Sequence, residues 1–186
     1  MTGVTEAQFA TINKLRENIY DFREYLVSED IVYSLAHPLF RVTDRVGPDH
    51  IEKLLLLFNR FELINGTRDP RASELVEAIF GSVTPETIER LVDKHGIQPI
   101  GLTPWDKCFT GGSDDHGGVY IASANTVTPE AHTVDEYLQF LRDGNHKPGG
   151  HSGTSVRLAH SFYHIAYSYY QKRLFKNGSG NASLIG

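Results

Sequence analysis

Strand-like and helical segments alternate along this chain, and this alternation is the feature that most constrains its fold. Apolar residues at steps of three and four predict a first helix over 5–27. Apolar runs at 31–36 and 61–64 are typical of buried strands, and a helix that starts at Pro48 is predicted between them. Strands and helices in this order favour a largely parallel sheet or barrel, in which functional groups collect at the carboxyl ends of the strands.

The later part of the chain continues the alternation. The predicted helices lie at 70–81, 85–96, 133–144 and 155–175, and the predicted short strands lie at 98–102, 107–110 and 119–122. Two capping boxes are predicted, Thr5 with Gln8 and Thr133 with Glu136. The whole pattern indicates one α/β domain over 1–176, followed by a flexible tail over 177–186.

Composition and charge exclude several classes of protein. The chain has 186 residues and a formal net charge of -5, so it has no broad basic surface for nucleic acid. Cys108 is its only cysteine, which rules out an intrachain disulfide and is typical of a reducing cytoplasmic setting. The longest apolar run, 54–58, is far too short to cross a bilayer, and the first residues lack the pattern of a signal peptide. We therefore expect a cytoplasmic protein that inserts into no membrane.

A glycine-flanked motif at 111–118, Gly-Gly-Ser-Asp-Asp-His-Gly-Gly, carries the clearest chemical signal in the sequence. Asp114 and His116 are two residues apart, and a carboxylate oxygen and an imidazole nitrogen are good ligands for Zn²⁺, Mn²⁺ or Fe²⁺. A polar turn is the alternative, because turns favour the same residue types. His37 and Asn65 also follow predicted strands, so we expect these four side chains to meet in one pocket.

Three motifs, in this order along the chain, resemble the later motifs of the polymerase and histidinol phosphatase (PHP) superfamily. They are Ala36-His37-Pro38, the segment Phe-Glu-Leu-Ile-Asn-Gly at 61–66, and the segment Gly-Ser-Asp-Asp-His at 112–116. Residues 149–175 are similar to the ending of PHP modules found beside glycosyltransferases. The resemblance implies a distorted seven-stranded β/α barrel that holds a metal cluster and hydrolyses phosphate esters.

The resemblance also implies roles for individual residues. His37, Asp114 and His116 resemble the metal ligands of the family, for which Mn, Zn or Fe would be the metal. Three further residues, Glu62, Asn65 and Asp115, would contact the substrate or support the ligands, and Arg41 is a fourth candidate on independent grounds. Arg41 follows His37 closely and could reach a phosphate with two hydrogen bonds, although an ordinary surface charge is the alternative.

The sequence departs from the family at its beginning. PHP domains open with an H-x-H motif, whereas His37 is the first histidine here. We therefore expect a partial PHP-type barrel, with mostly parallel strands and its N-terminal strands missing, that holds fewer ions and hydrolyses phosphate esters poorly. One alternative is a non-catalytic or partner-dependent interaction module, and another is a single-metal hydrolase that acts on a different bond. Unpaired strand edges also predict a homo-oligomer or a missing N-terminal segment.

The last predicted helix is rich in histidine and aromatic residues. His160 and His164 are spaced to bind a metal, but a packing or surface role is favoured because no acidic residue lies between them. The aromatic side chains within 162–170 are expected to hold this helix against the barrel or a missing domain.

Overall fold

A computed structural model describes residues 2–40 and 46–178, and within them it shows seven helices and four strands. The helices are α1 (Glu6–Leu15), α2 (Ile19–Ser28), α3 (Pro48–Leu57), α4 (Pro70–Phe80), α5 (Pro85–His95), α6 (Val134–Arg142) and α7 (Ser155–Gly178). The strands are β1 (Arg60–Asn65), β2 (Cys108–Gly112), β3 (Ala124–Val127) and β4 (Lys147–Gly150). The α/β class is therefore confirmed. No helix in the described residues is both long and apolar enough to cross a membrane.

The strands form two small sheets. β1 and β2 run parallel, with Asn65 opposite Gly112 at their carboxyl ends. β3 and β4 run antiparallel, and the hydroxyl of Thr126 on β3 joins the two sheets through hydrogen bonds with the backbone of Gly111. The described strands close no barrel, and the expectation of mostly parallel strands holds only for the first sheet.

The segment 31–36 is extended but is not the continuous strand that the sequence predicts. Val32 forms a single antiparallel bridge with Thr2, and Leu35 forms a single parallel bridge with Phe61 of β1. Two backbone hydrogen bonds of 2.9 Å flank the Leu35 bridge. Because this segment runs parallel to β1, it delivers His37 to the edge where β1 ends.

The single helix predicted over 5–27 is wrong in one respect, because the structure divides it into α1 and α2. Asn18 begins α2, since its side-chain oxygen accepts a hydrogen bond from the Tyr20 N–H at 3.0 Å. An Asn side chain competes with the helical backbone and favours this capping position, so the chain breaks there. The capping box at the start of α1 is confirmed, because Thr5 and Gln8 exchange backbone-to-side-chain hydrogen bonds.

The later helices follow the sequence prediction closely. α6 begins after Thr133, whose hydroxyl accepts the Glu136 N–H at 3.1 Å, but the Glu136 carboxylate binds the His132 N–H instead of completing a capping box. α7 continues to Gly178, beyond the predicted end of this helix. Residues 179–186 of the predicted tail lie outside the described residues.

Two predicted strands, 98–102 and 119–122, are irregular in the structure, and β4 lies between the helices predicted at 133–144 and 155–175, where the sequence predicts no strand. β4 has the sequence Lys-Pro-Gly-Gly, which is a poor strand former on its own. Gly149 suits its place there, because a Cβ would lie 2.8 Å from the Cγ2 of Val127 on β3. Pairing with β3, and not local propensity, makes this segment a strand.

The main hydrophobic core lies between β1 and the helices α3, α4 and α5. Its fully buried members include Leu56 and Leu57 of α3, Phe61 of β1, Phe80 of α4 and Leu91 of α5. The rings of Phe61 and Phe80 pack with their centroids 4.2 Å apart. This core fixes β1, which carries the candidate site at its carboxyl end.

Candidate functional site

The carboxyl ends of β1 and β2 approach each other closely. Gly66, directly after β1, donates its backbone N–H to the Gly112 carbonyl at 2.9 Å. A Cβ at Gly66 would lie 2.6 Å from the Ser113 carbonyl oxygen and 2.7 Å from the Ser123 hydroxyl, so only glycine fits there. This approach brings the residues after both strands to one edge of the parallel pair, where α/β proteins place their ligands.

Glu62 and Asn65 form the buried base of the site, with 9% and 4% of their surfaces exposed. The Oε2 atom of Glu62 accepts hydrogen bonds from the His37 backbone N–H and from Asn65 Nδ2, each at 2.8 Å. His37 has a left-handed backbone with φ 32°, and its bond to Glu62 holds that turn. The two predicted pocket residues on β1 therefore contact each other and position the backbone of His37.

A series of hydrogen bonds continues from Asn65 to Asp114. Asn65 Oδ1 lies 2.9 Å from both the backbone nitrogen and the hydroxyl of Thr67. The Thr67 hydroxyl also lies 2.8 Å from Asp114 Oδ2. A hydroxyl has one hydrogen, so Thr67 donates to one of these two acceptors at a time. Asp114 is thereby tied to the end of β1 through a neutral side chain.

Arg68 supplies the positive charge of the site. Its Nη2 lies 3.3 Å from Asp114 Oδ2, and its guanidinium carbon lies 3.6 Å from the centroid of the Phe40 ring. The side chains of Arg68 and Asp114 are 25% and 16% exposed, so water screens the pair only in part. The Nε of Arg68 is buried and makes no hydrogen bond with the described residues. A guanidinium that stacks on a ring and has an N–H group free to donate suits the binding of phosphate or carboxylate.

His116 lies beside Asp114 with its ring largely in solvent. Its Nδ1 is 2.9 Å from the Asp114 backbone carbonyl oxygen and 3.8 Å from Asp114 Oδ1. A carbonyl oxygen only accepts hydrogen bonds, so Nδ1 carries the ring hydrogen and Nε2 of the neutral ring keeps its lone pair. The side chain is 72% exposed, and this tautomer is the one that binds a metal through Nε2.

The structure brings together two of the three predicted metal ligands. Asp114 and His116 are neighbours, but within the described residues His37 does not join them in a group whose ligand atoms lie within 4.8 Å of one another. The His37 ring instead packs edge-on against Phe40, with the centroids 5.6 Å apart. The donor types suit a divalent transition metal, whereas the three positions as they stand do not surround one point. The predicted convergence of all three ligands is therefore wrong.

The middle residue of the motif shapes the loop that follows it. The two carboxylate oxygens of Asp115 accept the backbone N–H groups of Gly117 and Tyr120, at 3.0 and 2.9 Å. These bonds hold the loop after His116 in place. A contact of Asp115 with substrate stays a prediction.

A small cavity of about 110 Å³ opens between these residues and α4. Most of its lining is apolar and comes from 38–40 and α4, while Arg68 supplies a positive charge there and the other polar groups belong to His37, Glu62, Asn65 and Ser73. One water molecule occupies about 30 Å³ in the liquid, so the space has the volume for a group as small as phosphate. A large ligand would have to extend out of it.

Thr67 and Arg68 are central to the site, and neither was predicted from the sequence. The available signal was their position directly after the strand predicted at 61–64 and the turn that ends it. Arg41, which is predicted from the sequence to reach a phosphate, lies outside the described residues.

Within the described residues, one group of side chains does have metal-like spacing, and it lies between α3 and α5. The ligand atoms of Asp49, Glu52 and His95 lie within 4.8 Å of one another. Lys94 Nζ already binds Asp49 at 2.9 Å and Glu52 at 2.6 Å, and His95 Nε2 lies 2.7 Å from Glu52. Hydrogen bonds from Lys94 lower the pKa of both carboxyl groups. The group is therefore a salt-bridge network that joins two helices.

Comparisons with family models, with curated proteins and with solved structures find no match for this chain. The fold and the site define it as a mixed α/β protein with a charged site at the end of a parallel strand pair.

Proposed function

We propose that this protein binds phosphate esters at the end of the β1–β2 pair, as a PHP-type metal-dependent phosphoesterase with low hydrolytic activity of its own. The observation that carries the proposal is the position of Arg68, which lines the small cavity and is paired with Asp114. The three motifs that resemble the PHP superfamily supply the reaction class, and a partial PHP-type barrel is part of the same proposal.

Phosphate can compete with Asp114 for Arg68. The contact of 3.3 Å between Arg68 and Asp114 is long for a charge-assisted hydrogen bond. A phosphate group offers several oxygens and more negative charge, so it can accept two hydrogen bonds from one guanidinium. The cavity beside Arg68 has the volume for this group. We expect the phosphate to bind there and to release Asp114.

The proposal includes one divalent transition metal, Mn, Zn or Fe, held by Asp114 and His116. Asp114 Oδ2 faces Thr67 and Arg68, which leaves Oδ1 for the ion. The nitrogen of His116 nearest to Oδ1 is Nδ1, at 3.8 Å, and it carries the ring hydrogen, so the His116 ring would have to turn to bring Nε2 to the same ion. When bound, such an ion would polarise a phosphoryl oxygen. Two protein ligands hold an ion weakly, and a site with fewer ions stabilises the transition state less. Low hydrolytic activity follows from this count.

The experiment measures binding and hydrolysis separately. Inorganic phosphate and an aryl phosphate are titrated into the purified chain by calorimetry, and phosphate release is assayed with and without Mn²⁺. Arg68→Leu should weaken phosphate binding at least about tenfold, because it removes the only guanidinium that we place at the phosphate. Arg71→Leu is the matched control, since Arg71 pairs with Asp69 at the surface and its side chain is 84% exposed.

Failure of the wild-type chain to bind either phosphate would overturn the proposal, as would equal binding by the two arginine variants. Rapid turnover that Asp114→Ala abolishes would show instead that the site is fully competent. In that case the assignment of low activity would be wrong.

A non-catalytic or partner-dependent module is the second candidate. The pairing of Asp114 with Arg68, and the separation of His37 from the other two predicted ligands, favour it. This candidate differs in one measurable respect, because phosphate would bind equally well with and without Mn²⁺ and no hydrolysis would occur.

A further inference from the structure

The last helix carries a large exposed apolar surface. α7 has 24 residues and is therefore about 36 Å long. Its first turns contact the rest of the chain, where Ser161 is buried and His160 Nδ1 lies 2.8 Å from the Tyr120 hydroxyl. Between Ser161 and Leu174, where the side chains of this helix are described, seven large apolar or aromatic side chains are exposed. They do not hold α7 against the described part of the chain, so packing against the barrel is wrong, whereas packing against a missing domain stays a prediction.

Five exposed side chains lie along one line of α7, which we call the seam. They are Val156, Tyr163, Tyr167, Tyr170 and Leu174, and their exposed fractions run from 49% to 76%. At 100° per residue they fall within an arc of about 60°. The alternating steps of four, three and four from Tyr163 to Leu174 are the spacing of a coiled-coil seam. An exposed apolar line of this length marks an interaction surface.

We propose that the seam of α7 packs against the seam of α7 in a second copy of this chain. Ala159 and Ala166 flank the seam, and their small side chains let a partner helix approach closely. Both copies carry the same spacing of three and four residues, so the side chains of one seam fit between those of the other. No partner of different sequence is needed. This inference goes beyond the proposed function, because the seam lies outside the phosphate site.

The charge distribution favours a second copy as the occupant. α7 contains four basic residues, Arg157, Lys172, Arg173 and Lys176, and no Asp or Glu. The whole chain has a formal net charge of -5, so the part outside α7 carries -9. Three of the four lie in the last two turns of α7, so in an antiparallel pair the basic end of each helix lies beside the start of the other helix and the acidic body that holds it, whereas a parallel pair would bring the basic ends together.

A membrane surface fits α7 less well than a helix does. Phe162 and Tyr169 are exposed on the side away from the seam, with 62% and 59% of their surfaces in solvent. A helix that lies on a membrane confines its apolar residues to one face and its charges to the other. The apolar residues of α7 are distributed more widely than that.

The experiment measures the oligomeric state of the full chain by size-exclusion chromatography with light scattering, over a dilution series. Tyr170→Glu places a charge on the seam. Tyr169→Glu is the matched control, because it changes the same residue type at nearly the same exposure, 59% against 63%, off the seam. We expect a wild-type dimer that Tyr169→Glu retains and that Tyr170→Glu weakens at least about tenfold.

Tyr163→Glu, seven residues away on the seam, should reproduce the Tyr170→Glu result. Far-UV circular dichroism checks that each variant keeps its helix. A wild-type chain that stays monomeric throughout the series would overturn the proposal. So would a dimer that both seam variants retain, or one that the seam and control variants weaken equally.

Discussion

Arg68 Nη2 lies 3.3 Å from Asp114 Oδ2, so the side chain that we propose for phosphate is paired with the one that we propose for metal. A ligand that takes one partner releases the other. Under the proposed function, phosphate binds the guanidinium and leaves the carboxylate for a cation, while a cation on the carboxylate leaves the guanidinium for phosphate. Such coupling is reciprocal by thermodynamic necessity.

Removing the positive charge of Arg68 should raise the affinity of the site for Mn²⁺. In Arg68→Leu the Asp114 carboxylate loses a competing cation, and a charge at this distance is worth about one order of magnitude in affinity. Calorimetric titration with Mn²⁺ in the absence of phosphate measures the change. Arg71→Leu, at the surface pair with Asp69, should leave Mn²⁺ binding as it is. Equal Mn²⁺ affinities of the wild type and of both arginine variants would show that Arg68 does not compete with a cation for Asp114.

A methyl group at Gly66 should separate the ends of β1 and β2. The Cβ of Gly66→Ala would lie 2.6 Å from the Ser113 carbonyl oxygen, and overpacking of this kind costs about 1–3 kcal/mol. Urea denaturation measures the loss in the free energy of unfolding, and phosphate titration measures the loss of binding. Gly47→Ala is the control, because apart from its chain neighbours no atom of the described residues lies within 4 Å of its Cβ. Similar stability of the two variants would contradict the close approach.

Local signals predicted the elements that frame the site. α3, α4 and α5 each begin with proline in the first turn, and β1 follows from a short apolar run. These signals depend only on neighbouring residues, so they can be recognised in the sequence alone. The sequence also predicts that the carboxyl ends of β1 and β2 lie together, because parallel strands place their carboxyl ends at one edge of a sheet.

The contacts inside the site depend on residues far apart in sequence, and no local pattern displays them. Arg68 and Asp114 are 46 positions apart, and their pairing depends on how closely β1 and β2 approach. β4 is a strand only because β3 lies beside it. The ring of His37 faces Phe40 because the turn at His37 is held by Glu62, a tertiary contact that the motif does not specify.

Truncating Asn65 should destabilise the whole edge. Its amide donates to Glu62 and its oxygen faces two groups of Thr67, all at 2.8 to 2.9 Å, and the residue is 4% exposed. Asn65→Ala leaves buried polar groups without partners, which costs about 2–3 kcal/mol in the free energy of unfolding. Asn145→Ala, at an exposed position, should change stability by less than about 0.5 kcal/mol. Urea denaturation measures the free energy of unfolding of both variants. Equal losses would mean that the hydrogen bonds of Asn65 do not hold the end of β1 together.

His146 should make the stability of the protein depend on pH. Both of its ring nitrogens are buried and make no hydrogen bond with the described residues. Burial and the positive charge of Arg60 lower the pKa of His146 below its usual 6.5. In the unfolded chain the ring takes a proton near pH 6.5, whereas in the folded chain it does so only at lower pH. The unfolded state therefore binds more protons just below pH 6.5.

The free energy of unfolding should consequently fall as the pH drops below 6.5, and His146 should contribute nothing above that value, where the ring is neutral in both states. Urea denaturation on either side of pH 6.5 measures the slope. His146→Leu removes the titrating ring, so its slope should be smaller than that of the wild type. His132→Leu, at an exposed position, is the matched control and should keep the wild-type slope. If His146→Leu retains the full slope, the acid sensitivity arises from another group.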